Sequence, residues 1–105
     1  MKKNELKPSD YFDDWMDGLK DLRGKNAINR RIWRAEQGHF GKCRWNIAEG
    51  ISEMLIDLGP GYRIYFCQRG KTVYLLLIGG DKDTQQRDIA RAKEIKKEAE
   101  GDKTW

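Results

Sequence analysis

The spacing of apolar residues changes period near the middle of the chain. Phe12, Trp15, Met16, Leu19 and Leu22 recur at intervals of three and four, which predicts a helix with one buried stripe. Pro8 and Ser9 open it, with Ser9 as N-cap, and Asp10, Asp13 and Asp14 fall where the positive end of a helix favours acidic groups. Gly24 reads as its stop. Ile28, Ile32 and Ala35 predict a second helix over about residues 25–37, its arginines turned outward. Beyond the glycine-rich stretch QGHFGK the period falls to two, and Cys43, Trp45 and Ile47 alternate with Lys42, Arg44 and Asn46.

Residues 52–58 and 62–68, joined through Gly59-Pro60-Gly61, read as a hairpin in which Leu58 faces Tyr62 and Leu55 faces Tyr65. The segment TVYLLLI, residues 72–78, is apolar on both faces and predicts a central strand covered on both sides. Ile89, Ala92, Ile95 and Ala99 stripe a last helix capped by Asp83 or Thr84. Residues 3–7 fit a short edge strand. The order β-α-α-β-β-β-β-α predicts an α+β domain, with an antiparallel sheet of four to five strands, two helices before it and one after.

Composition narrows the chemistry. A chain of 105 residues is expected to form one domain, residues 1–105, that buries roughly 65% of its unfolded surface. The tail GDKTW is expected to fray, with Trp105 loosely packed. No apolar run reaches the ~18 residues a membrane helix needs, and the charged N-terminus lacks the apolar core of a signal peptide. Cys43 and Cys67 form no CxxC pair, so reduced thiols and a cytoplasmic location are expected. With His39 the sole histidine, neither a zinc cluster nor an HExxH helix can be assembled, and no metal or cofactor is expected. Chemistry is left to Arg, Lys, Tyr, Asp and Glu. Charge is also segregated: residues 8–22 hold five Asp and one Lys, whereas residues 23–48 hold seven Arg or Lys against Glu36. That division suggests one surface suited to a polyanion.

Hairpin parity isolates one position. Met54, Ile56, Tyr62, Ile64 and Phe66 share an apolar face, while Glu53, Asp57, Arg63 and Tyr65 surround Leu55 on the other. The alternation calls for a charged side chain at 55. A second irregularity is Gly79-Gly80 followed by Asp81-Lys82, which fits either a tight strand-to-helix turn or a backbone that lets a phosphate approach. The GxxxxGK[ST] spacing of a P-loop is absent.

The run Gly59 to Phe66 (GPGYRIYF), the run Leu76 to Gln85 (LLIGGDKDTQ), and Asp88, Ile89 and Ala92 resemble the addiction-module killer proteins, of HigB type, in the RelE/HigB/ParE toxin superfamily. Phe12, Trp15, Met16, Leu19 and Asp21 resemble that family's first helix, and Ile28, Arg31, Ile32 and Arg34 its second. The resemblance spans about residues 5–97. It implies a compact RelE-like fold, the toxin of a type II toxin-antitoxin module, a small helix-turn-helix antitoxin as partner, and metal-independent cleavage of mRNA on the translating ribosome. In that reaction the ribose 2′-hydroxyl attacks the adjacent phosphate.

Carried over on matching positions, Arg63 would stabilise the transferring phosphate through its planar fork. Lys82 would supply a second cation or a proton. Tyr65 would stack on a base or relay a proton. Arg30, Arg31, Arg34, Lys42 and Arg44 would grip RNA by charge, with Glu53, Asp57 and Asp81 in support. Where the family's strand reads Glu-Leu-Arg-Ile, this chain has Glu53-Met54-Leu55-Ile56, so Leu55 stands at a family arginine and impaired catalysis is expected. The ParE branch shares the fold but inhibits DNA gyrase, which makes a non-nuclease inhibitor the alternative. A third reading is a catalytically dead protein that still binds its antitoxin and the ribosome.

Overall fold

The computed structural model describes residues 2–102; Trp105, expected to be loosely packed, lies outside the described residues. The elements are β1 (Glu5–Pro8), α1 (Asp10–Gly18), α2 (Leu22–Glu36), β2 (Cys43–Ala48), β3 (Ile51–Ile56), β4 (Tyr62–Gln68), β5 (Val73–Asp81), a 3-10 turn (Lys82–Thr84) and α3 (Gln85–Glu100). This is the α+β order that the periodicity predicts. The five strands lie in the order β1-β5-β4-β3-β2.

The sheet is mixed, which corrects the expected all-antiparallel one. From β2 to β5 the chain meanders antiparallel, but β1 lies parallel to β5, with Leu6 beside Tyr74. Between β1 and the far edge at β2, which runs in the opposite direction, the chain passes through α1 and α2.

Helix boundaries shift as well. Ser9 caps α1 as expected, its hydroxyl accepting from the Phe12 N–H at 3.0 Å. α1 ends at Gly18, however, and Asp21 caps a new helix by accepting from the Gly24 N–H at 3.1 Å. Gly24 is therefore a buried residue in the first turn of α2 rather than a stop. Leu22, expected in the core stripe, is 69% exposed.

Two cores sandwich the sheet. Against α1 and α2 lie Phe12, Ile28, Met54, Ile64, Phe66 and Leu76. Against α3 lie Ile51, Tyr65, Cys67, Leu77, Ala92 and Ile95. β3, in the interior of the sheet, is buried along its whole length.

The β3–β4 register pairs Glu53 with Tyr65, Leu55 with Arg63 and Ile56 with Tyr62. It is displaced by two residues from the expected register because the connection runs from Asp57 to Gly61 and closes on itself, with the Gly61 N–H donating to the Leu58 carbonyl at 3.0 Å. A shift of two preserves parity, so the face assignments stand.

Gly79 and Gly80 lie inside β5 rather than after it. They point to opposite faces, where a Cβ on Gly79 would collide with the Trp15 ring and one on Gly80 with the Asp88 carboxylate. Close approach of the protein's own groups accounts for both glycines.

Candidate functional site: a cationic shelf beside α3

Arg63 sits on β4 opposite Leu55 of β3 and Gly80 of β5. Its Nη1 donates to the Tyr62 carbonyl at 3.0 Å, and its buried Nε has no hydrogen-bond partner. The Lys82 N–H donates to the Gly61 carbonyl at 2.9 Å, which draws the 3-10 turn onto the hairpin. Gly61, at φ +80°, is where the two cationic side chains meet. The position a Cβ would occupy is 3.4 Å from Lys82 Cδ and 3.5 Å from Arg63 Nη1. Asp81 stabilises the turn that presents Lys82, since its carboxylate accepts from the Asp83 N–H at 2.9 Å. Thr84, the N-cap position of α3, gives its hydroxyl to Asp88 instead of capping.

Across β3, edge strand β2 and the residue just before it add two more cations. Lys42 Nζ lies 3.0 Å from Asp57 Oδ2, and Arg44 Nη1 lies 3.3 Å from Glu53 Oε1. The Lys42 hydrogen bond and its charge, with smaller help from Arg63 and Arg31, hold the Asp57 carboxyl below the usual carboxylate range. Glu53 is fully buried, and its other oxygen accepts from Gln85 Nε2 at 2.8 Å. Leu55 is 8% exposed and shares this face with Arg63.

The shelf thus brings together Arg63, Lys82, Lys42, Arg44, Leu55, Glu53 and Asp57, with Asp81 behind. Four expected residues stand elsewhere. Tyr65 is buried beneath α3, so a base has no ring face on which to stack. Its hydroxyl meets no hydrogen-bond partner, and burial, then the Glu53 carboxylate, push its phenol upward.

Arg31 is a structural staple. Its Nη1 donates to the Leu55 carbonyl, and its Nη2 to the Phe40 and Lys42 carbonyls, both at 2.9 Å. Arg30 and Arg34 are exposed on α2, whose buried side packs on the sheet face opposite the shelf. Gln85, which periodicity did not single out, is the contact that ties Glu53 to α3.

Chemically, the shelf presents two cationic side chains that meet at Gly61 and, across β3, Lys42 and Arg44, each ion-paired to a carboxylate. Among the described residues no group of three or more His, Cys, Asp or Glu is placed to hold a metal ion, and no helix is long and apolar enough to cross a membrane. Comparison with known proteins finds 43% identity over 94 residues with an uncharacterized protein of Haemophilus influenzae, covering 90% of this chain and 94% of that one. No family model matches the chain. No solved structure matches it.

Proposed function

This chain belongs to the same family as the Haemophilus influenzae protein, and we propose that it is a RelE/HigB-type toxin of a type II toxin-antitoxin module. The reading makes it a metal-independent endoribonuclease of the cytoplasm, acting on mRNA at the ribosome and neutralised by a helix-turn-helix antitoxin. One observation carries it: the convergence of Arg63 and Lys82 on Gly61.

In this mechanism the 2′-hydroxyl passes its proton to solvent water as its oxygen attacks the neighbouring phosphate, the P–O5′ bond breaks to leave a 2′,3′-cyclic phosphate, and the Arg63 guanidinium neutralises charge that builds on the equatorial oxygens. The Lys82 ammonium, on the exposed side, protonates the departing 5′-oxygen. Lys42 and Arg44 hold the flanking backbone by charge. Leu55 occupies the position beside Arg63 where the resembling family carries a third cation. Loss of one preorganised donor to transition-state charge costs about 10²–10³ in rate, so this chain binds RNA but cleaves it poorly.

The test is to map mRNA 5′ ends in bacteria expressing the chain and, in parallel, Leu55→Arg. Ribosome-phased new ends with growth arrest, strong only in Leu55→Arg, are expected. Growth arrest by Leu55→Arg without such ends, accompanied by gyrase-linked DNA breaks, would replace the nuclease with the gyrase-inhibitor reading.

A further inference from the structure

α1 and α2 lie together on one face of the sheet and carry opposite charges outward. Asp10, Asp13, Asp14 and Asp17 are exposed on α1, and Arg23, Arg30 and Arg34 on α2. At 3.6 residues per turn the aspartates fall within an arc of about 100° and the arginines within about 40°. None of these aspartates, and neither Arg30 nor Arg34, forms an ion pair among the described residues.

Between the helices runs a cavity of about 260 Å³ lined by Leu6, Phe12, Asp13, Met16, Asn29 and Ile32. Leu22 and Trp33, 69% and 60% exposed, are large apolar side chains left open to water. Leu22 lies about 20° and Trp33 about 40° from Asn29 around the α2 axis, hence on the flank that borders the groove. The surface therefore reads, from side to side, acidic ridge, apolar trough, basic ridge.

We propose that this surface binds a second copy of the chain across a twofold axis running along the groove. Rotation about that axis lays the α1 aspartates of one protomer on the α2 arginines of its partner and the reverse, and it closes Leu22 and Trp33 into the contact. A partner of a single charge sign would match one ridge and be repelled by the other, whereas a second copy matches both. The Arg63–Lys82 shelf lies on the opposite face of the sheet and stays open, so the inference is independent of the nuclease reading.

Sedimentation velocity from about 1 µM to about 1 mM tests it. The full chain is expected to pass from 12.3 kDa to twice that mass. Asp13→Lys with Asp17→Lys, or Arg30→Glu with Arg34→Glu, each weakens self-association by about tenfold or more, because like charges then face each other. An equimolar mixture of the two variants restores a heterodimer within about threefold of the original affinity, since each reversed ridge meets its complement. Should either charge-reversed chain fail to fold, Asp13→Asn and Arg30→Gln replace them, with weaker association expected for each. A chain monomeric throughout, a dimer indifferent to these charges, or a mixture that stays monomeric overturns the proposal.

Discussion

The two faces of the sheet bury different chemistry. On the α1/α2 face the one buried phenol, Tyr62, gives its hydroxyl to Asp21 at 2.7 Å, Arg31 and Ser52 are likewise hydrogen-bonded, and the core around them is apolar. On the α3 face Glu53, Asp88 and the Tyr65 hydroxyl are buried together, and Tyr65 has no hydrogen-bond partner. A buried carboxylate is costly unless paired and hydrogen-bonded, and Glu53 meets that condition through Arg44 and Gln85. The first face contributes stability. The second gives up some stability to hold a charged residue beneath the cations of the shelf.

That contrast predicts where substitution is most damaging. Ile64→Ala, at a fully buried position of the α1/α2 core, is expected to lower unfolding free energy by about 2–5 kcal/mol, read by denaturant titration. The neighbouring glycines give a matched pair with one substitution on each face. Gly79→Ala presses on the Trp15 ring and Gly80→Ala on Asp88, which is tied to Thr84; each should cost about 1–3 kcal/mol. They differ in reach: Gly80→Ala also disturbs the turn that presents Lys82. It should therefore weaken RNA binding beyond its effect on stability, whereas Gly79→Ala should not.

Element order was legible because a helical stripe and a strand alternation each leave a period in the sequence. Pairing partners leave none. The four-residue β1 carries no mark of running parallel to β5. The break at Gly18–Asp21 hid because Leu22 continues the spacing of Phe12 and Leu19 while pointing into water. Alternation told which residues share a face but not which face is covered, so Glu53 and Tyr65 read as surface groups although α3 lies over them.

Arg30, Arg31 and Arg34 are one residue type on one predicted helix. The Leu55 carbonyl of β3 and the path of the 38–42 loop make Arg31 a staple. Within the site, the nearness of Arg63 and Lys82 was expected from the resembling motifs. The role of Gln85 required the helix to be in place.

Alkaline pH bears on the two buried phenols. Burial, then the Asp21 hydrogen bond, push Tyr62 up to about 12, and Tyr65 is raised as well. Unfolded tyrosines titrate near ~10. Above that pH the unfolded chain loses protons that the folded chain keeps, so stability falls as pH rises from about 10 through about 12. At neutral pH these groups leave the curve flat. Asp21 works in the opposite sense. The Tyr62 hydroxyl and the Gly24 N–H lower its pKa, and its contribution is lost as pH falls below the ordinary carboxylate value. Unfolding midpoints of Tyr62→Phe across this range should lose part of both slopes.

The smallest effect is expected at Tyr65, and it discriminates most sharply between the faces. Tyr65→Phe removes a buried hydroxyl that forms no hydrogen bond, so the folded state loses nothing it was using and is relieved of a desolvated polar group. Stability should stay within about 1 kcal/mol of the parent, or rise, where loss of a bonded buried hydroxyl costs about 1–3 kcal/mol. Tyr62→Phe breaks the 2.7 Å bond to Asp21 and is the matched control. Introduced together with Leu55→Arg, Tyr65→Phe should also leave the pattern of mRNA 5′ ends unchanged, because a ring sealed under α3 touches no base. A destabilisation equal to that of Tyr62→Phe would mean that the Tyr65 hydroxyl is bonded after all. Loss of cleavage with stability intact would mean that α3 lifts from the sheet during the reaction and uncovers the phenol.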